Sequence, residues 1–197
     1  MLFRSDEIIC RYYKAQCDKL VGRVDENTVY KIENIMRSVS ITTSDRAVVK
    51  PALDKQTATG QPAAALQLPD GRIVTGKSSE LLGAASAMLL NALKTLAGIP
   101  DDTLLISPAV LEPIADLKTG CFGNQNPRLH MDETLIALAI CAATDEVAAR
   151  AYREFPNLRG AEMHSTVVLS HVDDTTTKKL GLRLTCEPVY QNKRSER

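Results

Sequence analysis

At 197 residues, with 44% hydrophobic and 24% charged residues, the chain has the size and balance of one globular core, or of a core with a smaller appendage. Lysine plus arginine equals aspartate plus glutamate at 24 each, and no basic stripe carries interleaved aromatics, so no nucleic-acid partner and no membrane surface is expected. The apolar stretches at 81–99 and 135–143 are interrupted or too short to cross a bilayer. Five cysteines without a C-x-x-C pair, and a start lacking a signal-like apolar run, point to a reducing, cytoplasmic setting.

Three-to-four spacing of Ile9, Tyr12, Tyr13, Cys17 and Leu20 predicts a helix over 6–20, with Asp6 as cap and Gly22 as stop. Asp25 caps a second helix whose apolar side is Val29, Ile32, Ile35, Met36 and Val39. A third runs from Ser44-Asp45 toward Gly60, with Pro51 far enough inside to kink or divide it. The segment 1–60 is therefore helical. The period then changes: 64–68, the turn Pro69-Asp70-Gly71 and 72–75 read as a β-hairpin, with Asp-Gly supplying the turn. Ser78 and Ser79 are placed to cap a helix over 80–97. Its small residues Gly83, Ala84, Ala85 and Ala87 suggest close packing on a sheet or another helix.

Residues 103–107 form a short apolar run expected to be a buried strand, followed by a long connection with a helical piece at 110–117. Connections of that length are usually functional or mobile. Asn126 as cap and Pro127 at the first helical position predict a helix to about Ala143. Thr144 or Asp145 caps another, ended by Pro156. Strands over 162–170 and 182–186 flank a short polar helix over 173–180, and 191–197 is a charged tail. Strands alternating with helices imply a three-layer α/β/α sandwich. Its sheet would be mixed, mostly parallel and five-stranded, starting with the hairpin and preceded by the helical segment. The α/β domain would span 61–190.

The chemistry is expected at the start of the helix near Pro127. Free N–H groups and the helix dipole make that point positive, and Arg128 and His130 add donors, although cations there oppose the dipole and need another reason to be present. Two reasons fit: a small anionic ligand, or a contact with an acidic neighbour. His130 and Glu133, three apart, share a face seen in carboxylate-bridged metal sites, and His164 on its strand could be a general acid or base or a hydrogen-bonded core residue. Asp173 and Asp174 read as helix-start acids.

The element order is similar to the cytidine-deaminase-like fold, in which a hairpin leads into one helix and a strand into a second, their N-termini meeting over zinc. Here those starts read Ser78-Ser79-Glu80-Leu81 and Pro127-Arg128-Leu129-His130, without the zinc ligand set, so the resemblance implies the topology without the deaminase metal. A more specific resemblance rests on Leu68-Pro69-Asp70-Gly71-Arg72-Ile73-Val74-Thr75-Gly76-Lys77-Ser78-Ser79-Glu80-Leu81, on Asn126-Pro127-Arg128-Leu129-His130, and on Leu158-Arg159-Gly160-Ala161-Glu162-Met163-His164-Ser165-Thr166. These stretches resemble the C-terminal portion of the domain-of-unknown-function 1846 family, also called uncharacterised protein family 0371. The resemblance implies an N-terminal region with a glycine-rich, phosphate-loop-like segment that this sequence lacks, and residues 1–5 fall outside it and read as a scar.

If the two helix starts meet as in that topology, Glu80, Asn126, Arg128, His130, His164 and Ser165 converge on one crevice. His130 and His164 would then be catalytic, and Asn126, Arg128, Glu80 and Ser165 ligand-binding, with no metal ligand and no cofactor assigned. The expected function is the ligand-binding or catalytic C-terminal part of a phosphate- or nucleotide-handling enzyme. The alternatives are a metal-dependent hydrolase using His130, His164 and a carboxylate, and a non-catalytic module that joins the missing N-terminal region or forms a homo-oligomer.

Overall fold

In the computed structural model, residues 2–191 are described, with side chains from Ser5 onward. The expected tail beyond Gln191, and Met1 of the expected scar, lie outside the described residues. The sheet begins at the hairpin: Ala63–Gln67 (β1) and Ile73–Lys77 (β2) pair antiparallel, with Ala63 opposite Lys77 and Gln67 opposite Ile73. The turn works as its residues require. Gly71 takes φ 86°, and Asp70 Oδ1 accepts the Arg72 N–H at 3.0 Å. The other side of β1 pairs antiparallel with Glu162–Ser165 (β3), which pairs parallel with Arg183–Cys186 (β4), giving the order β2-β1-β3-β4.

The fold is thus α/β with a mixed sheet, but the sheet has four strands, not five, and only its β3–β4 pair is parallel. Residues 103–107 are the missing strand. Leu105 and Ile106 enter the core from an irregular segment, Leu104 stays 68% exposed, and Pro108 opens a helix. A short apolar run demands burial, and burial does not by itself require a ladder.

The helices are Leu2–Leu20 (α1), Glu26–Ser38 (α2), Val49–Thr59 (α3), Ala84–Leu96 (α4), Pro108–Asp116 (α5), Met131–Ala142 (α6), Glu146–Tyr152 (α7) and His171–Lys179 (α8). Successive side chains of a strand point to opposite faces, and β1 shows both faces filled. Ala64 and Leu66 join the main core with Met88, Leu89 and Leu93 of α4, whereas Ala65 packs against Val48 and Ala52 at the start of α3. Ile9 and Tyr13 of α1 and Met36 of α2 form a satellite core with Val49. Among the described residues no helix is long and apolar enough to cross a membrane.

The first helix begins at Leu2, ahead of the expected cap Asp6, and three further helix starts differ from expectation in ways that shape the core and the site. Pro51 neither kinks nor splits its helix, because α3 begins at Val49 and the proline falls in the first turn, where its missing N–H has no intrahelical partner. The helix expected from Glu80 begins at Ala84 with Gly83 as cap. Ser79 is spent on a turn, its Oγ accepting the Leu82 N–H at 3.1 Å. The helix expected from Pro127 begins at Met131 with His130 as cap. Its delay has a visible cause: Leu129 N–H bonds Leu81 O at 2.8 Å, and Leu82 and Leu129 form a parallel bridge, which holds both approaches extended.

Candidate functional site

That bridge sets the starts of α4 and α6 side by side, and the start of α8 closes on them from the third side. Between the three lies a cavity of about 440 Å³ whose wall includes Ser78, Gly83–Ser86, Asn126, Arg128, His130, Val167–Ser170, Asp173 and Tyr190. Helix starts carry amides without intrahelical partners, so each of the three must find an acceptor. At α8, Ser170 Oγ accepts the Asp173 N–H at 3.1 Å. At α6 the Met131 N–H goes to Asp173 Oδ1 at 2.7 Å. The negative group at the α6 start is therefore an acidic neighbour from α8, the second of the two readings the sequence allowed.

Asp173 also reaches His130. Its Oδ2 lies 3.1 Å from His130 Nδ1 and accepts the Ser170 hydroxyl at 2.9 Å. With the serine proton committed to the carboxylate, Nδ1 of the imidazole is the protonated nitrogen and Nε2 is left with the lone pair when the ring is neutral. Among the described residues Nε2 has no hydrogen-bond partner. Ser170 Oγ is also 3.2 Å from Nδ1, the same nitrogen that Asp173 occupies, so the three side chains do not form a nucleophilic triad, which needs serine on the opposite nitrogen. They form an oriented histidine. Hydrogen bonding to Asp173 raises the His130 pKa above its ordinary value against the effect of burial. Burial pushes the Asp173 carboxyl up, but His130, the Met131 amide and Ser170 outweigh it and hold it below the usual carboxylate range.

A buried lysine positions this corner. Lys118, in a π-helical turn at Leu117–Cys121, is 2% exposed and donates to Arg128 O at 2.7 Å and to Glu133 Oε2 at 2.6 Å. Glu133 Oε2 in turn accepts the His130 N–H at 2.7 Å. The loop that carries Arg128 and His130 is thereby tied to α6 through one ammonium group. Arg128 itself is fixed by its Nε, which donates to Ser79 O at 2.5 Å, and Asn126 Oδ1 accepts the Arg128 N–H at 3.1 Å.

Of the residues expected in one crevice, Asn126, Arg128 and His130 line the cavity together, whereas Glu80, His164 and Ser165 do not. Glu80 is exposed on the approach to α4. His164 is fully buried on the other face of the sheet, its Nδ1 2.8 Å from Thr185 Oγ1, its Nε2 3.3 Å from Glu187 Oε1, and its ring 5.0 Å from that of Tyr13. Ser165 turns its hydroxyl to Val167 O at 2.8 Å. Among the described residues no group of three or more His, Cys, Asp or Glu could hold a metal ion, so the trio of His130, His164 and a carboxylate is not assembled. Sequence reading passed over Asp173, Ser170 and Lys118 as site residues. The Ser170-x-x-Asp173 spacing is a capping signal that would have placed α8 correctly, but nothing local tells that its acid reaches across to another helix.

Residues 44–195 match a family profile described as domain of unknown function DUF1846, C-terminal. The chain is similar to a UPF0371 protein of Streptococcus thermophilus, 52% identical over 187 residues, which cover 95% of this chain and 38% of that protein. A UPF0371 protein of Streptococcus pyogenes serotype M5 is 50% identical over 188 residues, with the same coverage of 95% and 38%. The chain thus spans well under half the length of the curated relatives it matches.

Proposed function

This chain belongs to the DUF1846 family, and from that membership and the geometry of the cavity we propose that it supplies a proton-handling His130–Asp173 pair to a phosphate- or nucleotide-handling enzyme. One observation carries the reading. The imidazole is oriented through Nδ1 by a carboxylate and leaves Nε2 without a partner among the described residues, in a residue lining a cavity that Arg128 also lines. A general acid or base needs a fixed tautomer and a ring nitrogen left without a partner inside the protein. The wider protein would contribute the rest of the substrate contacts.

The test is a turnover screen of phosphomonoesters and nucleotides with a full-length UPF0371 relative, joined to an NMR titration of His130 in this chain. His130→Asn is expected to slow turnover by about a hundredfold, the lower end of what a positioned acid or base contributes. The His130 midpoint should lie above its ordinary value of about 6.5 and fall in Asp173→Asn. A midpoint that ignores the Asp173 change, or full turnover without His130, would overturn the reading.

The same pair sets a stability profile. His130, with its pKa raised by folding, contributes stability that is complete below its unfolded value of about 6.5 and is lost as pH rises through the folded value. Asp173, with its pKa lowered, contributes stability that is complete above about pH 3.9 and is lost as pH falls through the folded value. Urea denaturation of the Asp173→Asn variant should therefore show its largest deficit, about 2 kcal/mol, between roughly pH 4 and 6.5, and a smaller one at pH 9. A deficit independent of pH would show that the charge pair is not its source.

A second, compatible reading is favoured by Ile136 and Ile140, one turn apart on α6 and 61% and 62% exposed. On this reading that face contacts the part of the UPF0371 polypeptide that lies outside this chain. Ile140→Lys should abolish co-purification of this chain with the separately expressed upstream region of the Streptococcus thermophilus relative, and retained binding would sink the idea.

A further inference from the structure

Resting on the proton-handling reading of the same cavity, we propose that its anion seat is the first turn of α4, where the amides of Ala84, Ala85 and Ser86, the Ser78 hydroxyl and the Arg128 guanidinium take a phosphoryl group. The start of α6 is already occupied by Asp173, and the start of α8 by its own Ser170. The start of α4 has neither. Its cap is Gly83, which has no side chain to offer, and among the described residues the amides of Ala84, Ala85 and Ser86 donate to no acceptor. Yet these residues are only 6%, 3% and 1% exposed, and they line the cavity. A helix start without partners, at the head of a 13-residue helix and on the cavity wall, is a place where an acceptor can dock.

A second observation points the same way from a different element. Ser78, just after β2, is 3% exposed and lines the same cavity, and among the described residues its hydroxyl hydrogen-bonds to nothing. Its oxygen is not sealed off inside the protein, so a guest in the cavity can supply the partner it lacks. Arg128 adds the charge: its Nε is committed to Ser79 O, which fixes the plane of the guanidinium, and among the described residues its terminal nitrogens have no partner. The nearby carboxylate of Asp173 does not oppose an anion strongly, because it is matched by His130, the Met131 amide and Ser170. Three amides, a hydroxyl and a guanidinium exceed what a two-oxygen carboxylate can use and suit a group with three acceptor oxygens.

The probe is inorganic phosphate, titrated calorimetrically into this chain, with sulfate and chloride as competitors. Saturable one-to-one binding is expected, displaced by sulfate and not by equal chloride. Ala84→Pro removes one donor and places a ring in the seat. The variant should keep the fold, because proline suits the first helical position and Gly83, at φ −68° and ψ 159°, already has the extended backbone that a following proline requires. It should weaken phosphate at least tenfold with its melting temperature in phosphate-free buffer unchanged. Ser78→Ala should weaken binding threefold or more, and Arg128→Gln should weaken it while flattening its salt dependence. Phosphate affinity is read without any turnover, so failure of the proton-handling reading and failure of the seat are told apart. No saturable phosphate binding, or wild-type affinity in Ser78→Ala, overturns the proposal. If Ala84→Pro melts early, Ser78→Ala and Arg128→Gln decide it.

Discussion

Replacing Gly76 with alanine is expected to destabilise the chain by about 3 kcal/mol or more, the upper range for forcing an extra carbon into a filled interior. A Cβ at that position would stand 2.1 Å from Met88 N, 2.5 Å from Met88 Cα and 2.7 Å from the Ala87 carbonyl carbon. All three atoms are backbone of α4, so no rotamer change can relieve the contact, and the helix would have to lift away from β2. The cost therefore reaches beyond the contact itself. Raising α4 would displace Ala84–Ser86 from the cavity and break the approach that Leu82 shares with Leu129. The measurement is a urea midpoint compared with that of Gly120→Ala, where an added Cβ meets nothing within 4 Å and a change within about 0.5 kcal/mol is expected. Equal midpoints for the two variants would mean that α4 does not sit on Gly76.

That α4 packs closely was readable in advance, because Gly83, Ala84, Ala85 and Ala87 suggested a helix lying close on a sheet or on another helix, but its contact with Gly76 was not. The hairpin was equally legible, since Pro69-Asp70-Gly71 specifies its own turn and fixes the register of both strands. What could not be read was the start of each helix at the cavity. Asn126 and Pro127 form a sound local start signal, yet Leu129 is drawn into a bridge with Leu82, 47 positions away in sequence, and the helix waits until that bridge has been made. The same limit applies to charge. Arg128 and His130 pointed to either an anionic ligand or an acidic neighbour at this corner, and the acidic neighbour is Asp173 of α8, 42 positions beyond the Met131 amide that it accepts from, while the uncapped start belongs to α4. His164 was a candidate only if the two helix starts drew β3 into the same crevice, and the two faces of β3 settle its place: Met163 enters the main core with α4, whereas His164 turns toward Tyr13 of α1. A local pattern specifies an element's type. Which face meets which neighbour depends on pairings distant in sequence.

Arg46 is the second position where a single change should cost about 3–5 kcal/mol, the range for stripping one partner from a buried charge pair. It follows the short 3-10 turn at Thr43–Asp45, is 1% exposed, and pairs with Glu162 of β3. Its remaining donors are spent on the sheet and on α1: Nη2 reaches Arg183 O at 2.6 Å, Nε reaches Thr185 Oγ1 at 3.2 Å, and Nη1 lies 3.3 Å from Cys10 Sγ. One guanidinium thus joins the helical first part of the chain to β3 and β4. Arg46→Ala would take the guanidinium from Arg183 O and from Glu162, while Thr185 Oγ1 would keep its contact with His164. Glu162 would keep a half-exposed partner in Arg183, 2.9 Å from its Oε1, so the loss should lie nearer the lower figure. The double variant Arg46→Met with Glu162→Leu separates the charge from the packing, because exchanging a buried pair for apolar side chains of similar volume is often neutral whereas breaking it is not. Urea midpoints should place the double variant well above Arg46→Ala, and protease digestion should release the α1–α2 region first in the single variant. If Arg46→Ala and the double variant unfold together, neither lost volume nor a stranded Glu162 is the source of the cost, and the ion-pair account fails.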